Sequence, residues 1–215
     1  MLNCRRKYEN ARTLKPTKFF FYIIYHMPDA SFFTYHDLKS MPGGAITVIE
    51  EYKKLPEDTV NLKLNPETWS CTEVCQHLIR FNEIYLDIVD ELLHNGSPQK
   101  TDSNQFKPGW ISKKIIHFIE PPYKVAIKTV APMFPSKIDA SAAETFEKLI
   151  ETEKQLIELL DDAEKNALNL DRMKGFNPVF KFVRMSVTEF VLMLDAHQRR
   201  HFWQIEQILK RLPTD

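Results

Sequence analysis

The fold is decided by the stretch WSCTEVCQHL, residues 69–78. Ser70 and Glu73 have the spacing of a capping box, in which each side chain accepts a hydrogen bond from the other residue's backbone N–H. A helix is therefore predicted to begin at residue 71. Apolar residues then recur every three or four positions until about His94, after which a glycine and a proline end the pattern.

The same start signal occurs twice more along the chain. Ser141 with Glu144 and Ser186 with Glu189 each precede a long run that has one apolar and one charged face, which is typical of a helix packed on one side. A shorter amphipathic segment, Ala45–Leu55, is the candidate for a fourth helix. The chain has only five glycines, few for a protein rich in hairpins. These observations predict an all-α protein built on a four-helix bundle.

A long connection, residues 97–140, separates the second and third of these helices. It is rich in proline and also contains several aromatic residues, which predict that it packs against the helices. A short helix is expected within it at about Ile111–Ile119.

Composition narrows the class of protein. The chain has 215 residues, of which 43% are hydrophobic, enough to bury one sizeable core. Its 29 basic and 29 acidic residues give no net charge, which argues against nucleic acid or an anionic membrane as a partner. Three cysteines are too few for a disulfide framework and indicate a reducing compartment, so the expected location is the cytoplasm.

Residues 1–40 are predicted to be an N-terminal extension, disordered or not native to the protein, and residues 41–215 to be the helical domain. The apolar run at residues 19–25 is too short to span a bilayer, which needs about 20 residues. A histidine, a proline and an aspartate follow it instead of small residues, so a signal peptide is not expected. Met27 or Met41 is the alternative natural start.

Three histidines fall on the apolar faces of the predicted helices. His197 and His201 continue the apolar row of the last helix, and their spacing of four places them one turn apart on one face. His77 continues the row of the helix that begins at residue 71. A buried histidine is more often a core residue bonded to a carboxylate or a carbonyl, and the pair also fits a polar patch or a partner-binding face. Three imidazoles without a common partner, however, each lose roughly 1–3 kcal/mol of hydration, a cost that a shared cation removes.

The chain resembles a known family at two places. Residues 69–78 resemble the Trp-Ser-x-x-Glu-x-x-x-His-Leu opening of the second helix in DinB-like proteins. The string HQRRHFWQIE, residues 197–206, is similar to the family's His-x-x-Arg-His-x-x-Gln-Ile signature in the fourth helix. The resemblance covers about residues 41–212. It implies an up-down-down-up four-helix bundle with a long crossover between its second and third helices, and one divalent metal held by His77, His197 and His201.

Such a site has consequences for the chemistry. Three neutral nitrogen ligands leave a coordination position open, as in catalytic sites, whereas structural zinc normally has four protein ligands. Zinc and nickel are the expected metals, with iron and manganese as alternatives. The DinB-like family includes bacillithiol S-transferases and a mycothiol-dependent isomerase, so the resemblance implies a metal-dependent enzyme that activates a low-molecular-weight thiol for transfer to a small-molecule substrate.

Two other functions are kept as alternatives: a metal-dependent hydrolase, and a non-enzymatic stress or interaction protein that the metal stabilises. Neither nucleic acid nor a membrane is expected as a partner. A homodimer is an open alternative to a monomer.

Several residues near the three histidines are secondary candidates. Gln204 and Glu73 each lie one turn from a predicted ligand and are placed to orient an imidazole, although the capping box is expected to occupy Glu73. Cys71 and Cys75 have either a redox or fourth-ligand role or, as favoured, a role as small core residues.

Arg199 and Arg200 are expected on outward faces of the last helix. Solvation or ion pairing with neighbouring helices is the favoured role for both, and contact with an anionic substrate is the alternative. The remaining four histidines are expected to be exposed to solvent.

Overall fold

The computed structural model describes residues 31–95, 99–121, 129–135 and 140–212. Its regular structure is almost entirely helical. The elements, in chain order, are α1 (Tyr35–Tyr52), α2 (Glu57–Asn61), α3 (Cys71–His94), α4 (Trp110–Ile119), a 3-10 helix (Ala131–Met133), α5 (Ala142–Lys165), β1 (Lys174–Phe176), β2 (Arg184–Ser186) and α6 (Val187–Arg211). The prediction of an all-α protein is therefore confirmed.

The three predicted long helices begin where their capping boxes place them. Ser70, Ser141 and Ser186 are the N-caps of α3, α5 and α6, and each hydroxyl accepts a hydrogen bond from the backbone N–H of the glutamate three residues later. The glutamate of the last box has a second role. Glu189 Oε1 also accepts a hydrogen bond at 2.7 Å from the backbone N–H of Gly109, the N-cap of α4, and so ties the starts of α4 and α6 together.

The first helix begins earlier than the sequence pattern predicts. It starts at Tyr35 and not at Ala45, and its N-cap Thr34 forms a fourth capping box with Asp37. Pro42 lies inside the helix and is followed by two glycines, which together weaken the local helical signal. Burial of the Tyr35 side chain in the core compensates, because tertiary packing outweighs propensity in the first turns.

Residues 1–30 of the predicted N-terminal extension lie outside the described residues. Residues 35–40 belong to α1, and the buried Phe33 just before it forms an antiparallel bridge with Phe106. The backbone N–H groups of these two phenylalanines donate to each other's carbonyl oxygens, both at 2.8 Å. The chain that enters α1 is therefore attached to the connection between α3 and α4.

Each of the four long helices packs against two others, since α1 and α3 both contact α5 and α6. Lys39, near the start of α1, forms ion pairs with Asp161 and Glu164 near the end of α5. Lys53, just after α1, forms one with Glu147 near the start of α5. These contacts show that α1 and α5 run in opposite directions.

Helix α3 also runs opposite to α6. The ring of Tyr85, in the second half of α3, lies against Phe190 in the first turn of α6, with ring centroids 5.9 Å apart. His77, nearer the start of α3, lies against His201 in the second half of α6, at 4.6 Å. This antiparallel contact brings the predicted histidines of the two helices to the same level.

Shorter elements fill the space between the long helices. The predicted short helix at about Ile111–Ile119 is confirmed by α4, which packs on α6. Strands β1 and β2 form an antiparallel hairpin directly before α6, a feature that three-residue strands do not reveal in the sequence. Within the described residues, none of the helices is both long and apolar enough to cross a membrane.

Candidate metal centre

Three histidines meet between α3 and α6. His77 comes from α3 and is 3% exposed, whereas His201 comes from α6 and is 8% exposed. His197, one turn before His201, is less fully covered, but its Nδ1 atom is buried. One ring nitrogen of each residue lies within 4.8 Å of the other two. The structure thus brings together the three histidines that the sequence singled out.

The spacing of two of these nitrogens fits a cation held between them. His197 Nε2 and His201 Nε2 lie 3.2 Å apart. Two nitrogens that are each about 2.0–2.1 Å from one tetrahedrally coordinated ion lie about 3.3 Å from each other. Imidazole nitrogen is also a donor that zinc, nickel, copper and iron accept. The residues present therefore fit a divalent transition metal.

Hydrogen bonds at the far side of two rings fix which nitrogen faces the site. His77 Nδ1 lies 2.5 Å from the carbonyl oxygen of Met133, in the 3-10 helix, and a carbonyl accepts only from an N–H. His201 Nδ1 lies 2.8 Å from Oε1 of Gln204. Both rings therefore carry their proton on Nδ1 and present the Nε2 lone pair to the site. The predicted orienting role of Gln204 agrees with this contact, and Glu73 is held in its capping box.

His197 is oriented by stacking instead. Its ring lies nearly parallel to that of Phe81, with an interplanar angle of 11° and centroids 3.6 Å apart. Its buried Nδ1 has no hydrogen-bond partner among the described residues. A buried polar nitrogen without a partner is unfavourable in a purely structural core. This ring is therefore held in place by an aromatic face while its Nε2 points at His201.

Burial keeps all three imidazoles neutral. Desolvation lowers the pKa of His77 below its usual value of 6.5 and lowers the pKa values of His197 and His201 well below it. The neighbouring imidazoles and the positive charge of Arg200 lower the last two further. Each ring consequently keeps a lone pair available to a cation at neutral pH.

The histidines lie at the wall of a cavity of about 540 Å³. This volume falls within the range typical of sites for small molecules. Aromatic and aliphatic side chains make up much of its wall, together with a few polar groups. The lining residues besides the three histidines include Trp69, Phe81, Tyr85, Ile119, Val130, Met133, Val179, Phe180, Met193, Arg200, Trp203, Gln204 and Gln207.

The family model of the DinB superfamily matches residues 48–205, well over half of the chain. The chain belongs to the DinB superfamily. The matched region runs from the interior of α1 into α6 and contains all three histidines. No curated protein and no solved structure matches the chain.

The two arginines of the DinB signature region are not on outward faces, and the prediction that they are was wrong. Arg199 is 4% exposed and Arg200 is 7% exposed. Arg199 is nonetheless ion-paired as expected, with Asp195 and with Glu120 at the end of α4, both at 2.8 Å. Arg200 instead lines the cavity beside the histidines. Its position three residues after His197 is the sequence signal that should have placed it on the same face.

The cysteines of this DinB-superfamily chain have the role of core residues. Cys71 and Cys75 are buried free thiols in the apolar cluster shared by α1, α3, α5 and α6. Burial raises the pKa of Cys71 to about 12 and raises that of Cys75 well above its usual range, so neither is a thiolate near pH 7. His36, His94 and His117 are exposed as predicted. His26 lies outside the described residues.

Proposed function

We propose that this DinB-superfamily protein is a metal-dependent enzyme whose ion is held by His77, His197 and His201. One observation carries the proposal: three neutral imidazoles from two antiparallel helices point their nitrogens at one place, at the wall of a cavity large enough for a small molecule. A site that served only the fold needs no adjoining cavity of this size, and structural zinc normally has a fourth protein ligand.

The four long helices are proposed to form one bundle of the up-down-down-up type. The ion pairs between α1 and α5 and the ring contacts between α3 and α6 support this direction for each pair. The connection between α3 and α5 is then the long crossover. In this arrangement one wall of the site comes from the crossover, through the contact of Met133 with His77.

The proposed reaction is the transfer of a low-molecular-weight thiol to a small electrophile. A divalent metal in such a site supplies a Lewis acid that lowers the pKa of a coordinated thiol or water. The residues of the chain hold the ring nitrogens in place, since Gln204 and the Met133 carbonyl each fix one imidazole. The ring of Trp69 packs against His77, and that of Phe81 stacks on His197.

Metal analysis of purified protein tests the ligand set. We expect about one equivalent of divalent metal in the wild type and a loss of most of it in His77→Ala and in His201→Ala. His36→Ala, which removes an exposed histidine of α1, is the matched control and should leave the metal content unchanged. Retention of a full equivalent in both site variants would overturn the proposed metal centre.

The reaction class is tested separately with the metal-loaded protein. Binding of a small thiol, seen as a change in the visible spectrum of the cobalt-substituted protein, supports thiol transfer. Turnover of activated esters or amides without any thiol supports the hydrolase instead. If removing the metal unfolds the protein and neither thiol nor ester is a ligand, the ion has a structural role in a non-enzymatic protein.

We further propose a cytoplasmic location and no nucleic-acid or membrane partner. Two buried free thiols and a net charge of zero support this placement. Sedimentation of the purified protein separates the monomer from the homodimer.

A further inference from the structure

The cavity carries a buried cation beside the three histidines. We propose that Arg200 binds an oxyanion group, a carboxylate or a phosphate, on the small molecule that enters this cavity. The inference rests on the proposed function in one respect, because it takes the cavity to be the ligand site.

Arg200 lies where a molecule inside the cavity can reach it. Arg200 is 7% exposed and lines the same cavity as His197 and His201. Arg199, the preceding residue of α6, forms ion pairs with Asp195 and Glu120 and is not among the residues that line the cavity. The two neighbouring arginines are both buried, but only Arg200 lies at the cavity wall.

The charge near the three histidines favours an anionic ligand. Three neutral imidazoles leave the charge of a divalent ion uncompensated, and the guanidinium of Arg200 adds to it. Among the described residues that line the cavity, the acidic side chain is that of Glu67, which is exposed. The positive charge of Arg200 acts on His197 and His201 in a partly apolar setting, where electrostatic attraction is stronger than in water. An anionic ligand at this end of the cavity is attracted to that charge.

The side chain of Arg200 is already held in place before a ligand binds. Arg200 Nη1 donates a hydrogen bond at 3.3 Å to the backbone carbonyl of Ile119, at the end of α4. This contact restricts a long side chain that otherwise loses conformational entropy when it binds a ligand. The planar guanidinium also matches the geometry of carboxylate and phosphate oxygens better than an ammonium does.

Calorimetric titration of the metal-loaded protein with benzoate and with benzyl alcohol tests the proposal, since these probes differ mainly in charge. We expect the wild type to bind benzoate about tenfold or more tightly than benzyl alcohol. Arg200→Gln should reduce that preference by about tenfold, with unchanged metal content. Arg80→Gln, which removes an exposed arginine of α3, is the control and should keep the preference. Arg200→Lys retains the charge and should show an intermediate preference, which also decides the matter if Arg200→Gln does not fold.

A wild type that binds neither probe, or binds both equally well, overturns the proposal, and so does a preference that survives Arg200→Gln and Arg200→Lys unchanged. The metal content is measured separately from the preference for benzoate, so a failure of the proposed metal centre can be distinguished from a failure of the anion site. If the protein holds no metal but its benzoate preference still depends on Arg200, the metal-dependent function is refuted and the anion site is supported. His77→Ala, which should lose the metal but keep Arg200, tests directly whether the benzoate preference depends on the metal.

Discussion

His77 Nδ1 and the carbonyl oxygen of Met133 lie 2.5 Å apart, so the crossover between α3 and α5 determines which nitrogen of His77 faces the cavity. For His201, the acceptor that fixes the ring is the side chain of Gln204 and not a backbone carbonyl. The two contacts therefore differ in how they respond to mutation, since only the second can be removed without changing the backbone.

Gln204→Ala should weaken metal binding by about 10- to 100-fold, because His201 loses the acceptor that fixes its ring and tautomer. Competition with a chelator of known affinity measures the change. Gln207→Ala removes another glutamine of the same helix and the same cavity and serves as the control. Equal affinities in the two variants would show that the Gln204 contact does not orient the ligand.

Metal binding should resist mild acid. Burial lowers the pKa values of all three imidazoles below 6.5, so protons compete with the metal only at a pH below the usual histidine range. Chelator competition between about pH 5 and pH 8 should give a constant affinity down to roughly pH 6.5. A decline of tenfold or more per pH unit that already begins at about pH 7 would contradict the described environment of the rings.

The buried carboxyl of Glu153 should make stability depend on pH. It accepts hydrogen bonds from the side-chain amides of Asn82 and Gln198, yet burial raises its pKa to about 8. Because this value is above 4.5, the folded protein holds a proton that the unfolded chain releases, and stability falls as pH rises from about 4.5 to about 8.

Glu153→Gln cannot ionise, so the variant should gain stability relative to the wild type across that interval, by up to about 1.4 kcal/mol per pH unit. Urea unfolding at about pH 5.5 and pH 7.5 measures this difference. Glu158→Gln replaces an exposed carboxylate of the same helix and is the control. A difference between Glu153→Gln and wild type that is the same at both pH values would rule out a buried proton on Glu153.

Loss of the Arg199 ion pairs should destabilise the fold strongly. Arg199→Ala leaves Asp195 and Glu120 without their cation in a region that is mostly buried, which costs roughly 3 kcal/mol. Arg80→Ala breaks an exposed pair with Glu83 and should cost less than about 1 kcal/mol. Chemical unfolding compares the two, and similar costs would mean that the buried pairs contribute little.

Ala167→Gly should stabilise the protein by about 0.5–1 kcal/mol. Ala167 follows α5 with φ at 52°, in the left-handed region where a β-carbon costs roughly 1–2 kcal/mol and glycine does not. Greater freedom of glycine in the unfolded chain offsets part of the gain. Ala143→Gly, at an exposed position in the first turn of α5, should instead lose up to about 1 kcal/mol. Thermal unfolding gives the sign of each change, and a loss at residue 167 would contradict strain there.

Local signals made most of the helices predictable. The capping boxes at Ser70, Ser141 and Ser186 depend on residues three apart, so they are readable without knowledge of the fold. The box at Thr34 is equally local, but Pro42 and the glycines after it interrupt the apolar pattern from which a first helix is predicted. The first turns of α1 are helical because they are buried against residues that are distant in the sequence.

The site was predictable only as far as helical periodicity reaches. The shared face of His197, His201 and Arg200 follows from their spacing, so the prediction that Arg200 points outward is an error that periodicity alone corrects. Burial of Arg199 depends on α4 covering that side of α6, and the Met133 contact depends on the path of a long crossover. Neither follows from spacing, because both connect residues far apart in the chain.

The three histidines are divided between two helices, so the complete set of donors depends on tertiary structure. His197 and His201 are one turn apart, so a nascent α6 alone already offers two donors to an ion. The third donor arrives only when α3 docks against α6. A divalent metal that binds all three histidines should therefore bind the folded protein more tightly than the unfolded chain, and it should stabilise the packing of α3 on α6.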